Sequence, residues 1–241
     1  MGQIGWQNRN YNRRSERDRS GIGEAVHGTR RDGARVVIVD VQDELGQNVA
    51  ETKVENAVNF TVKKHGKIDV LFSNAGVLEQ QVSILNLNLD ELDRVMAVNL
   101  RGSAVFIKHV AGAMVKSGTR GSIVCTTSVA AEIVGNTPHG YTASKHGLLG
   151  LVRSSAGELG KHGIRVNGVA PFGIATPLAC DGYKMEASEM EEMFSLTANL
   201  KGVVLKARHV SEAALFLASD DSAYVSGHNL AVDGGYTVVK P

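Results

Sequence analysis

From Gly21 onward, short β-branched or aliphatic runs alternate with longer stretches of helical period, separated by glycine-containing turns. The runs Arg35–Asp40, Ile68–Ser73, Ser122–Thr127, Ile164–Ala170 and Asn229–Val232 are apolar with little alternation. That is the pattern of strands covered on both faces. Helical period marks Gly23–Arg31, Glu44–Lys64, Leu89–Lys116, Tyr141–Lys161 and Val210–Ser219. Strands and helices in this order predict a single α/β domain built on a parallel sheet.

Two stretches break the rhythm. Between Asp40 and Lys67 the chain is too short for a complete strand-helix-strand unit, which takes about 30 residues or more, and no β-branched run interrupts Leu45–Val62. No strand is expected there. Gln7–Ser20 has Tyr11 as its only apolar side chain and carries Arg9, Arg13, Arg14, Arg17 and Arg19. Burying unpaired guanidinium groups costs several kcal/mol each, against a total domain stability of roughly 5 to 15 kcal/mol. Residues 1–20 are therefore expected to form a solvated, disordered segment ahead of a domain at 21–241. Glu16 and Asp18 interrupt the charge run, which argues against a nucleic-acid-binding arm or a transit peptide.

Composition removes further classes. The 241 residues include 26 Lys and Arg against 25 Asp and Glu, a formal net charge of +1, so no overall field draws nucleic acid or an anionic membrane. Cys125 and Cys180 are the two cysteines, without a second cysteine or histidine at ligand spacing, so neither a disulfide framework nor a zinc site is expected. The longest apolar runs fall far short of the roughly 20 residues a membrane-spanning helix needs. Met1–Trp6 lacks the basic and apolar regions of a secretory signal, and a cytoplasmic protein is expected.

Two constellations carry chemistry. Gly21, Ile22 and Gly23 precede a helical stretch, and Asp40 closes the next apolar run. Glycines let a backbone approach a pyrophosphate at a helix N-terminus, while an acid ending the following strand can accept both ribose hydroxyls of NAD and repels the 2′-phosphate of NADP. The same residues also suit ordinary turns. Tyr141 and Lys145 stand four apart at the start of a helical stretch, on one face. Ser128 follows the apolar run Ser122–Thr127, where an open α/β sheet places its ligands, so hydroxyl, phenol and ammonium converge. A cation beside the phenol is expected to lower its pKa.

These residues resemble the short-chain dehydrogenase/reductase family, over Gly21 to about Val239. Asn74-Ala75-Gly76 is similar to the family's NAG turn, Val98-Asn99 to its helical asparagine motif, and Tyr141-Thr-Ala-Ser-Lys145 to its YxASK helix. Pro171–Thr176 resembles the loop that holds the nicotinamide, and Ser226-Gly227 through Asp233-Gly234-Gly235 the C-terminal SGxxxxxDGG signature. The wording within the motifs resembles a plant branch that includes secoisolariciresinol and xanthoxin dehydrogenases, momilactone A synthase, and borneol and zerumbone dehydrogenases.

The resemblance implies a Rossmann-type doubly wound parallel sheet and NAD-dependent oxidation of a hydrophobic secondary alcohol of terpenoid, lignan or hormone-precursor type to the ketone or aldehyde. In it Tyr141 would be the general base, and Lys145 would supply the cation and hold the nicotinamide ribose. Ser128 would hydrogen-bond the substrate oxygen, and Asn99 would anchor a water that passes the proton outward. Gly21, Ile22, Gly23, Asp40, Asn74, Ala75, Gly76, Ile174 and Thr176 would contact the cofactor. A homotetramer in secondary metabolism is implied, with no metal. Apolar residues between Pro177 and Gly202, including Met185, Met190, Met193 and Phe194, lie where the family keeps its variable substrate lid; they equally suit an amphipathic helix packed on its own core.

The chain departs from the family at its start. An apolar first strand and TGxxxGxG are expected, but Glu16 and Arg17 stand where threonine and the first glycine belong, and the third strand with its adenine-contacting aspartate is missing. Asn10–Arg19 can be encoded so that the reading one nucleotide later gives Ile-Thr-Thr-Gly-Gly-Ala-Arg-Gly-Ile-Gly, which resembles the missing motif. A second hypothesis is therefore a catalytically impaired product of a truncated or mis-spliced gene, acting at most as a subunit of a hetero-oligomer.

Overall fold

A computed structural model describes residues 51–135 and 137–239, together with the backbone of 22–25 and 36–39. Its strands are β1 (Ile22–Ala25), β2 (Val36–Val39), β3 (Val70–Ser73), β4 (Ser122–Thr126), β5 (Arg165–Pro171) and β6 (Asn229–Val232). The last four form one all-parallel sheet in the order β3-β4-β5-β6, with Val70 opposite Ser122, Ser122 opposite Arg165 and Gly168 opposite Asn229. These are the expected apolar runs to within two residues at each end. Parallel neighbours require crossovers, and the helices supply them.

The helices are α1 (Glu51–His65), α2 (Leu89–Met96), α3 (Ser103–Ser117), α4 (His139–Leu159), α5 (Pro177–Tyr183), α6 (Ala187–Thr197) and α7 (Ala207–Ala218). Strand side chains alternate between two faces, and each face has its own helices. Ile123, Cys125 and Val166 point into a core with Val105, Ile107 and Met114 of α3 and Leu148 and Val152 of α4, with Val54 and Val58 of α1 behind them. Val124 and Val169 point the other way, onto Ala214 and Leu217 of α7. The result is the doubly wound arrangement expected, with β4 and β5 at its centre. A fully buried valine or leucine contributes about 1.5 to 3 kcal/mol relative to exposure, so these two layers fix the strand register.

The expected helix Leu89–Lys116 is continuous in direction but not in type. Its middle, Ala97–Gly102, is a π-helical turn carrying Asn99. Single π turns inside α-helices are frequent at functional sites, because the extra residue redirects a side chain.

The expectation of a helix over Gly23–Arg31 fails at its start. Ile22–Ala25 is a strand, pairing antiparallel with β2 so that Ile22 opposes Val39 and Ala25 opposes Val36. The run expected at Arg35–Asp40 thus forms a separate two-stranded ribbon rather than joining the parallel sheet. The sequence gives the cause: Gln7–Ser20 supplies no apolar strand beside which β2 could lie, and the nearest apolar residues upstream of β2 are those just after Gly21. Residues 1–20 lie outside the described residues. After β2, the described residues up to β3 contain α1 and no strand.

The C-terminal signature is structural. Ser226 Oγ accepts from Val166 N at 3.2 Å and Gly227 N donates to Val166 O at 2.7 Å, with Gly227 at φ 75°, so this turn aligns β6 beside β5. The Asp233 carboxylate accepts from Gly235 N at 2.9 Å and from Thr237 N at 2.8 Å, closing the turn that follows β6.

Candidate active site

All four strands of the main sheet end on the same edge, and the segments leaving their carboxyl ends bring the sequence-predicted residues together. After β3, the Asn74–Gly76 turn is held at three points. Asn74 Oδ1 accepts from Thr126 Oγ1 at 2.7 Å. Val77 N donates to Asn99 Oδ1 at 2.8 Å, while Asn99 Nδ2 donates to Val77 O at 3.0 Å. Glu79 Oε1 accepts from Tyr141 N at 3.0 Å. Three consecutive anchors thus tie this turn to the end of β4, the π turn and the first turn of α4.

Asn99 is fully buried. Its second Nδ2 hydrogen goes to Ser144 Oγ at 3.0 Å, and Ser144 Oγ donates in turn to Tyr141 O at 2.7 Å. Both donors of its amide are therefore spent on protein. The π turn is what lets this side chain reach two elements at once.

Ser128 follows β4 in extended conformation, and its Oγ accepts from Ala130 N at 3.1 Å, capping the short turn Val129–Ala131. Helix α4 begins at His139 and presents Tyr141, Ser144 and Lys145 inward. Lys145 is buried, donates from Nζ to Thr126 O at 2.7 Å and lies 5.4 Å from the centroid of the Tyr141 ring. Gly76 completes the cluster: a Cβ there would stand 3.4 Å from Asn99 Oδ1 and 3.8 Å from Lys145 Nζ.

Burial pushes the Tyr141 phenol above its ordinary value; the Ser128 hydroxyl, within hydrogen-bonding reach, opposes this, while Tyr183 and Glu79 add to it. Burial also draws Lys145 down to about 8, opposed by Cys125. The Cys125 thiol is pushed up to about 12 by burial, against the pull of Lys145. A phenol lowered by its lysine neighbour is thus not what this geometry gives. The ammonium is directed to Thr126 O rather than to the phenol oxygen, and the group that eases phenol ionisation is Ser128.

After β5, Thr176 N donates to Ile174 O at 2.8 Å, and the Thr176 side chain caps α5 by accepting from Ala179 N at 3.3 Å. Phe172 in this loop packs edge-on against Phe194 of α6, with ring centroids 5.6 Å apart, and stacks on Tyr236 at 4.2 Å. Met190 of α6 is fully buried. The segment therefore packs on its own core, as the amphipathic-helix expectation has it, and lays Phe194 on the loop after β5.

Sequence reasoning missed Glu79 and Tyr183. Glu79 had a signal, an acid within the loop after the Asn74–Gly76 turn, opposite a helix whose N-cap is Pro138 and therefore has no side-chain acceptor. Tyr183, at the end of α5, had none. Of the predicted cofactor contacts, Ile22 and Gly23 lie in β1, where a strand ladder replaces the expected helix N-terminus. Gly21 and Asp40 lie outside the described residues. Among the described residues, no helix is long and apolar enough to cross a membrane, and no three His, Cys, Asp or Glu side chains gather as metal ligands would.

Asn74–Gly76, Tyr141 and Lys145 suit a nicotinamide nucleotide on one observation: the absent Cβ at Gly76 leaves room beside a buried ammonium that has donors beyond its bond to Thr126.

Comparisons with known proteins identify the family. A family model described as enoyl-(acyl carrier protein) reductase matches residues 17–237. Short-chain dehydrogenase reductase 3b of Arabidopsis thaliana is 70% identical over 240 residues, covering 92% of this chain and 93% of the relative. (+)-Borneol dehydrogenase 1 of Salvia officinalis is 43% identical over 240 residues, covering 92% of each chain. Momilactone A synthase of Oryza sativa subsp. japonica is 44% identical over 227 residues, 86% of this chain and 82% of that one. Among solved structures, levodione reductase superposes with a TM-score of 0.73 at 33% identity, over 81% of this chain and 76% of that chain. Motifs, fold and relatives together place the chain in the short-chain dehydrogenase/reductase family of oxidoreductases.

Proposed function

We propose that the chain oxidises a hydrophobic secondary alcohol, of terpenoid, lignan or hormone-precursor type, to the ketone with NAD as acceptor. The observation that carries this reading is the meeting of Gly76, Asn99, Lys145 and Tyr141 at the carboxyl edge of the sheet, with Ser128 beside the phenol. Nicotinamide, when bound, supplies a hydride acceptor.

The chain's own residues do the rest. Ser128 Oγ hydrogen-bonds the substrate hydroxyl and orients it toward the phenol. Tyr141 takes the hydroxyl proton as the carbinol hydrogen leaves as hydride, and general-base help of this kind contributes about 10²- to 10⁴-fold. Lys145 holds the nicotinamide ribose through donors not used on Thr126 and provides positive charge at neutral pH, below its value of about 8. Asn74–Gly76, Ile174 and Thr176 contact the cofactor through backbone. Asn99 has spent both amide N–H groups, so a proton-relaying water meets this residue through an acceptor atom. Asp40, outside the described residues, is the sequence's candidate to accept the adenosine ribose hydroxyls, which would favour NAD over NADP.

A greasy substrate is supported by Phe172, Phe194 and Tyr236 on the loop after β5, and by relatives named for borneol and for momilactone A. Activity in a cytoplasmic homotetramer belongs to the same proposal. The test is to mix the purified chain with NAD and a panel of bicyclic and acyclic secondary alcohols, borneol included, and follow reduced nicotinamide by absorbance. Turnover that disappears in Tyr141→Phe supports the reading, and no turnover with any alcohol, in either cofactor, counts against it.

One observation favours a second reading. Because Ile22–Ala25 is a strand outside the main sheet, the chain could lack a pyrophosphate site and serve only as an inactive subunit beside intact homologues. Direct NAD binding separates the two.

A further inference from the structure

Glu79 is a buried carboxylate with no part in the mechanism above. Its Oε1 accepts from Tyr141 N, the third residue of α4, and its Oε2 is buried without a hydrogen-bond partner among the described residues. The first turn of any helix leaves N–H groups unpaired, and these are normally met by a side chain at the N-cap. Here the N-cap is Pro138, which has no side-chain acceptor to offer. Glu79 reaches in from the loop after β3 and supplies one. Gly140 gives it room, since a Cβ there would lie 2.7 Å from Glu79 Oε1. A carboxylate at a helix N-terminus is also favoured by the helix dipole.

We propose that Glu79 is a positioning residue for Tyr141, capping the helix that carries it and setting a buried negative charge beside its phenol. The cap stands on the 3.0 Å contact of Tyr141 N with Glu79 Oε1, and the effect on the phenol follows from the carboxylate that this contact holds beside Tyr141; their importance for turnover rests on Tyr141 being the base, as proposed above. Among the described residues, four groups bear on the phenol. Ser128 approaches from the segment after β4, Lys145 from one turn along α4, Tyr183 from the end of α5 and Glu79 from the loop after β3. Of these, Tyr183 and then Glu79 oppose ionisation. The arrangement links the Asn74–Gly76 turn to the base directly: any shift of that turn moves the carboxylate, and with it both the backbone and the acidity of Tyr141.

Two substitutions separate the cap from the charge. Glu79→Gln keeps a carbonyl acceptor for Tyr141 N and removes the charge; Glu79→Ala removes both. The phenol is titrated by ultraviolet absorbance in each chain, with the matching Tyr141→Phe chain subtracted, so neither cofactor nor substrate is needed. Both variants should ionise at lower pH than the parent, by about half a pH unit or more for a charge within several ångströms in a partly screened site. Both variants lack the charge, so the difference in melting between them reads the cap, and Glu79→Ala should melt about 2 to 4 °C below Glu79→Gln. If borneol and NAD are turned over, the alkaline rise of the oxidation rate moves to lower pH by the same amount as the titration. An unshifted phenol overturns the charge, and equal melting of the two variants overturns the cap. Absence of turnover in the parent would remove the catalytic reading while leaving both of those results to stand.

Discussion

Asn99 grips both backbone groups of Val77, accepting its N–H at 2.8 Å and donating to its carbonyl at 3.0 Å, as a neighbouring strand would. A side chain does this because the helix carrying it is locally wound as a π turn. The turn bearing Gly76 is thereby fixed from behind, beside the buried ammonium of Lys145.

Replacing Asn99 with alanine should therefore be costly. It leaves Val77 N, Val77 O and Ser144 Oγ without this partner, at about 1 to 3 kcal/mol for each group left unmet in the interior, and part of that is recovered by solvent. A loss of about 2 to 4 kcal/mol in urea unfolding is expected. A loss below about 1 kcal/mol would show that the clamp is not needed to hold the turn.

Tyr141→Phe keeps the ring and removes only the phenol oxygen. Alcohol oxidation should fall by about 10²-fold or more, with melting within a few degrees of the parent and NAD binding retained. Loss of NAD binding alongside activity would mean that the hydroxyl acts on the cofactor and not on the proton.

Ser128 is the group that eases ionisation of the phenol. With Ser128→Ala the phenol moves further up, so the base form appears at higher pH. The rising limb of the oxidation rate should move to more alkaline pH, in the opposite direction from Glu79→Gln. A fall in rate with no movement of that limb would confine Ser128 to holding substrate.

Lys145 makes stability depend on pH. Its folded value of about 8 lies below the ordinary 10.5, so between these two values the unfolded chain binds the extra proton. Stability from this group therefore rises with pH across that window, and burying the ammonium is most costly below pH 8. Lys145→Met removes the titration. The stability of the variant relative to the parent should fall by roughly 2 kcal/mol between pH 7 and pH 10. A difference that does not change with pH would place the lysine in a more hydrated setting than the structure gives it.

Most of the scaffold was legible in the sequence. The four strands of the main sheet are mostly apolar runs, and β4 and β5, buried on both faces, are the clearest of them. Ser128, Tyr141 and Lys145 were legible because spacing along α4 and position after a strand are set by local geometry, and Asn74–Gly76 through its resemblance to the family's turn. What was not legible depends on tertiary contact. The pairing of Ile22–Ala25 with Val36–Val39 follows from the lack of an apolar partner strand upstream, while the glycines themselves suggested a helix start. The raised phenol follows from how deeply α4 is buried and from Glu79 and Tyr183, which come from segments far away in sequence. The π turn has no signature in the hydrophobic period, since Leu89–Lys116 reads as one uninterrupted helix.

The central claim is that this chain holds NAD against the Asn74–Gly76 turn and Lys145. It is tested most directly by a thermal unfolding scan of the purified protein with saturating NAD, with NADP as the control. Ligand at about 100 times its Kd adds roughly 2.7 kcal/mol, or about 5 to 11 °C for a chain of this size. A single cooperative transition raised by that amount with NAD, and much less with NADP, is the predicted result. An unmoved transition with both cofactors would contradict it and leave the catalytic residues without a hydride acceptor to serve.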